Sequence, residues 1–184
     1  MVASFALALG PDLAAGSKVG VYLDFEQRPS LAAADAMRQQ AAEAMREIGF
    51  DIAWRLVSEN RGNEAFEHLV VVRFVGTCAA RGVLPPTRQV LVLGSTAVSD
   101  GQVLPYSRVL CDQVRRVLPD VEFAADRHSG DIELGRVLGR VLAHELYHVL
   151  FGTTHHSAEG LAKAVQSTDD LKSDDFSFTT VGKE

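Results

Sequence analysis

His144-Glu145-Leu146-Tyr147-His148 is the segment best equipped for chemistry. Two histidines four residues apart stand one turn apart on the same face of a helix. Their imidazoles can then meet one metal ion, at about 2.0–2.1 Å each if it is zinc. Glu145 lies about 100° round the helix axis from His144, near enough to reach a metal-bound water but not placed as a ligand. That pattern points to hydrolysis. The metal lowers the pKa of its water toward about 7, and the glutamate takes the proton. The plainer alternative is two core histidines bonded to backbone. Their spacing, with Glu145 between them, favours the metal site.

A catalytic zinc site needs three protein ligands and an open position. Gly152 is placed to end the helix in the left-handed conformation and turn the chain back. Both His155 and His156 then come within reach. Glu159 is an acidic candidate. Tyr147 reads as a packing residue, and Tyr106 as a loop tyrosine. Asp169, Asp170, Asp174 and Asp175 read as a solvated face, with capping duty for some. His68 and His128 show no chemical partner in the sequence.

These side chains need elements to hold them. Asp131 is a good N-cap for a helix reaching about Phe151. Leu134, Val137, Leu138, Val141, Leu142 and Val149 form its apolar stripe. Upstream, residues 18–24 alternate as a strand, and Pro29-Ser30 opens a helix. Leu31, Ala34, Met37, Ala41, Ala44, Met45 and Ile48 mark its buried face, and Gly49 its stop. Residues 50–56 form a second strand. Residues 68–75 are almost continuously apolar, which predicts a strand buried on both faces. Residues 89–94 predict a fourth strand. Ser99-Asp100-Gly101 is a hairpin turn between arms at 95–98 and 102–109, and Pro105 makes the second arm an edge or a loop. A short helix is expected over 112–118. Ser167 and Asp170 suggest a capping box for a short C-terminal helix. The predicted fold is α/β (α+β): a mixed sheet against the first helix and the histidine-bearing helix.

Length and composition bound the rest. A chain of 184 residues with 47% hydrophobic and 23% charged residues predicts one globular domain. Residues 1–17 read as an arm or the remnant of a signal peptide, and 18–184 as the domain. The apolar run over 2–10 is too short to span a bilayer. A net charge of −6, with no basic block, excludes nucleic-acid or membrane binding by bulk charge. It also argues against a protease of DNA-bound proteins. Cys78 and Cys111 can form one bridge. With a signal remnant, that bridge places the protein outside the cytoplasm; otherwise it is cytoplasmic.

The segment from His144 to Gly160 resembles small bacterial zincin-like, metzincin-related metallopeptidases. Their pattern is HExxH, a leucine, Gly-Thr, two residues, His-Ser and a glycine. Here it stands as His144-Glu145…His148, Leu150, Gly152-Thr153, His156-Ser157 and Gly160. Upstream likeness reaches residues 52–55 and the Pro-Tyr-Ser-Arg-Val segment at 105–109. Mainstream metzincins place the glycine and third ligand where this chain has Phe151 and Thr154. The methionine floor of such proteins falls at Ala162. The resemblance implies a zincin-like domain with one Zn2+ per chain, held by His144, His148 and His156, with His155 as the alternative third ligand. It implies Glu145 as general base and a peptide or protein substrate laid along a sheet edge in the 95–109 region. The alternative is a non-catalytic zinc-binding pseudo-peptidase domain.

Overall fold

Val19, Val21 and Leu23 point to one side of the first strand and are buried there, as a period of two requires. The computed structural model describes residues 17–80, 91–118, 127–157, 160–164 and 170–171. Its elements in chain order are β1 (Ser17–Gln27), α1 (Leu31–Glu47), β2 (Phe50–Leu56), a 3-10 turn (Val57–Glu59), β3 (His68–Thr77), β4 (Gly94–Ser99), β5 (Gln102–Leu110), α2 (Cys111–Arg116) and α3 (Arg127–Phe151). The strands form one mixed sheet in the order β2-β1-β3-β5-β4. Four run parallel, and edge strand β4 runs antiparallel to β5. The α/β class read from the sequence is the class observed.

Helix α1 begins where its cap predicts. Ser30 Oγ accepts the Ala33 amide at 3.2 Å, and Gly49 ends the turn at φ 89°. Met37, Ala41, Ala44 and Met45 are buried, whereas Leu31 is 82% exposed and lies off that face. Small residues bring α3 close. A Cβ on Gly139 would lie 2.6 Å from the Met37 carbonyl oxygen, and one on Gly135 would lie 2.9 Å from Ala33 Cα. Bare glycines one turn apart therefore let the two helix backbones meet.

Four expectations need correction. Strand β3 is buried on one face only: Val70, Val72 and Phe74 are inside, but Leu69 is 45% exposed. A run of β-branched residues is compatible with either pattern. The strand expected over 89–94 is not seen: residues 89 and 90 fall outside the described residues, 91–93 are not strand, and Gly94 opens β4, which is the expected first arm of the hairpin. Strand β5 is not an edge, because it pairs with β3 as well as β4. Pro105 is tolerated there because pairing with β3 starts only at Tyr106 and the β4 register shifts between Thr96 and Val98. Asp131 is not an N-cap. Helix α3 starts at Arg127, and Asp131 Oδ1 instead accepts the Ala80 amide at 3.2 Å.

The hairpin turn is as expected, with Asp100 at φ 51° and Gly101 at φ 76°, the signs of a type I′ turn. Asp170 and Leu171 are helical; Ser167 and residues 1–16 lie outside the described residues. A Cys78–Cys111 disulfide joins the end of β3 to the start of α2, a feature compatible with an extracytoplasmic location. Among the described residues, no helix is long and apolar enough to cross a membrane.

Candidate metal centre

The end of α3 builds most of the centre. Gly152, at φ 58°, stops the helix. Its amide bonds Val149 O at 3.2 Å, and the Thr153 amide bonds His148 O at 3.1 Å. This is the paired closure of a Schellman motif. The same turn aims a ligand: His148 Nδ1 donates to the Thr153 carbonyl at 2.7 Å. His144 Nδ1 donates to the Leu161 carbonyl, also at 2.7 Å. That carbonyl is presented by a second turn, in which the Ser157 amide bonds Ala162 O at 2.9 Å and the Lys163 amide bonds Gly160 O at 3.2 Å.

Both Nδ1 atoms are therefore donors, which leaves both Nε2 atoms as acceptors. These two Nε2 atoms face each other at 3.0 Å. Burial lowers the pKa of both rings, that of His144 to about 4, so both are neutral at pH 7. Two lone pairs repel at this distance unless a cation lies between them. Two ligands each about 2.1 Å from one tetrahedral ion would stand ~3.4 Å apart, close to the observed separation. The His156 ring stacks on that of His144 with centroids 5.3 Å apart and meets that of His148 edge-on at 4.7 Å. One ligand atom from each of His144, His148 and His156 falls within 4.8 Å of the others. The donor set fits a divalent metal ion.

His155 is not in this cluster; its amide bonds Thr153 Oγ1 at 3.0 Å, and its side chain is exposed. Glu159 lies outside the described residues, as do Asp169, Asp174 and Asp175, while Asp170 pairs with Lys163 at 2.8 Å. Tyr147 packs against Phe151, with ring centroids 4.9 Å apart, in agreement with a packing role. Tyr106 is a β5 residue rather than a loop tyrosine. His68 packs edge-on against Phe50. Ala162 is buried at the position of the methionine floor, and Met37 and Met45 lie in the α1 core.

Glu145 is 4% exposed and lines the same cavity, of about 320 Å³, as the three histidines. Burial pushes its carboxyl up to about 7, and a hydrogen bond from Thr96 pulls the other way. Edge strand β4 is shaped to it. A Cβ on Gly94 would lie 2.6 Å from Glu145 Oε1, so a side chain there would push the carboxylate out of this position. Thr96, two residues on, donates to Oε2 at 2.7 Å.

The sequence reading missed Gly94, Thr96 and the carbonyls of Thr153 and Leu161. No protein-family model, curated protein or solved structure matches the chain. What stands is a mixed α/β domain in which His144, His148 and His156 lie close enough to bind one metal ion.

Proposed function

We propose that this protein is a zinc-dependent peptide hydrolase of the zincin type. The observation that carries the reading is the convergence of three histidines with a buried carboxylate on the same cavity wall. His144, His148 and His156 would hold the zinc. When bound, zinc polarises the substrate carbonyl and lowers the pKa of a water. Glu145 accepts a proton from that water as its oxygen attacks the carbonyl carbon. It then delivers the proton to the departing amine nitrogen, so the C–N bond breaks without releasing a free amide anion.

The substrate would lie extended beside β4, an edge strand of the sheet among the described residues, adding to it as a further strand. The disulfide favours a site of action outside the cytoplasm. Purified protein should carry about one zinc per chain, and Glu145→Ala should keep the zinc and lose hydrolysis of a peptide library. Full activity in that variant refutes the mechanism. Zinc binding without turnover in the parent protein would favour the pseudo-peptidase reading instead.

A further inference from the structure

The β4–β5 hairpin reaches past the rest of the sheet. Pairing of β5 with β3 starts at Tyr106, so among the described residues Gln102 and Val103 pair with β4 alone. Between the Thr96–Ser107 and Val98–Val103 pairs, one residue of β4 faces three of β5: Leu104, Pro105 and Tyr106. Such a bulge bends its strand and re-aims the side chains beyond it. Beyond this one, Val98 and Val103 stand opposite each other, and both line the cavity of the three histidines and Glu145. Val98 is nonetheless 48% exposed. An apolar pair thus sits on the cavity wall with part of its surface open to water.

The chain directions say which end of the cavity this is. Helix α1 joins two parallel strands, β1 and β2, so it runs against them. Gly135 meets Ala33 and Gly139 meets Met37, so α3 runs with α1 and hence against β5. Edge strand β4 is antiparallel to β5 and therefore runs with α3. The cavity wall then passes from Leu93 and Val141 at one end, through Thr96 and Glu145, to Val98, Val103 and Thr153 at the other. A strand rises about 3.3 Å per residue, which puts Val98 ~7 Å beyond Thr96. An extended peptide laid along β4 advances by the same step. We propose that the hairpin tip is a subsite for one apolar side chain of the substrate, held against Val98 and Val103 within about two residues of the bond that is cut. The inference rests on the peptidase reading and narrows its substrate class to peptides with a large aliphatic or aromatic residue at that place. Such a side chain removes apolar surface of both partners from water, which a serine or a charged residue there does not. The patch is continuous with the cavity of the metal centre, so its occupant arrives with the substrate rather than as a separate partner.

The test uses zinc-loaded protein and fluorogenic peptides that carry Leu, Ser or Glu in turn at each of three positions on either side of the scissile bond. Leu should exceed Ser in kcat/KM by roughly 10- to 100-fold at one position, on one side only. The double variant Val98→Thr/Val103→Thr keeps the branched shape that suits a strand. It should bring that ratio below about threefold, with melting temperature and zinc content matching those of the parent. Val98→Lys should turn the preference at the same position toward Glu, a gain that a damaged hairpin does not produce. If the double variant fails to fold, Val98→Lys decides. A parallel loss on every peptide, or a Leu preference that survives both variants, would make the valines hairpin packing alone and overturn the inference. Equal kcat/KM for Leu and Ser at every position overturns the subsite and leaves the peptidase reading standing. A Leu preference in binding, by calorimetry on the same peptides, with no turnover supports the subsite and overturns the peptidase reading.

Discussion

The Thr96 hydroxyl donates to Glu145 Oε2 at 2.7 Å across 49 residues of sequence. Ser107 Oγ, fully buried on β5, lies 2.9 Å from the same hydroxyl and can donate to it in turn. The carboxylate is thus held from the edge strand as well as from its own helix. A substrate strand laid on β4 would contact the element that aims the base.

Thr96→Val should therefore lower kcat by roughly tenfold and leave KM within about threefold, since one charge-assisted bond is lost and no binding surface is removed. Thr96→Ser should restore most of the rate. Zinc content should stay at the parental level in both. An unchanged kcat in Thr96→Val, with the fold intact, would show that the hydroxyl does not position the base.

The ionisable groups of the site predict opposite pH responses in metal-free protein. The folded pKa of Glu145 is raised from 4.5 to about 7. Its contribution is therefore complete below the unfolded value and is lost as pH rises through about 7. The folded pKa of His144 is lowered from 6.5 to about 4. Its contribution is present above 6.5 and disappears as pH falls toward 4. Glu145→Gln removes only the first effect. In thermal melts, this variant should exceed the parent at pH 8 by about 5 °C, with the gap closing by pH 4. A gap of equal size at both pH values would mean that the carboxyl is not strained by burial.

The bridge between Cys78 and Cys111 closes a loop over a sequence separation of 33. The chain-entropy account assigns such a loop about 4 kcal/mol of stability. The double variant Cys78→Ala/Cys111→Ala should melt roughly 10 °C lower, and reductant should bring the parent down to match it. A melting temperature untouched by either treatment would remove the stability case for an oxidising compartment.

The motif was legible because its information is local. His144, Glu145 and His148 need only a helix, and Gly152 needs only to follow its end. After Gly152 the residues themselves left His155 and His156 both open, and only the resemblance favoured His156. Asp131 was misread because an acid before an apolar stripe looks the same whether it caps its own helix or accepts the Ala80 amide 51 residues away. Gly94 and Thr96 were invisible for a related reason. Their role depends on the register of β4 against β5 and on the lie of that edge over α3, and no short window encodes either. Pro105 misled because a proline marks an edge only where its neighbour strand reaches it, and β3 begins pairing one residue later, at Tyr106.

The third ligand offers the sharpest separation between neighbouring residues. His156 stacks against His144 and joins the cluster of ring nitrogens, while the adjacent His155 stays out of it. Removing one of three ligands leaves a two-histidine site, which holds zinc far more weakly. His156→Ala should lower zinc affinity by at least about 100-fold, measured by competition with a chelator, and should abolish hydrolysis. His155→Ala should leave both within about threefold, because an exposed side chain outside the cluster contributes neither a donor nor packing. His144→Ala and His148→Ala serve as positive controls, with losses as large as that of His156→Ala. If His155→Ala loses the metal and His156→Ala keeps it, the turn after Gly152 runs one residue out of the register drawn here. If neither loses it, the third ligand comes from elsewhere in the chain, and the stacking of His156 on His144 is packing alone.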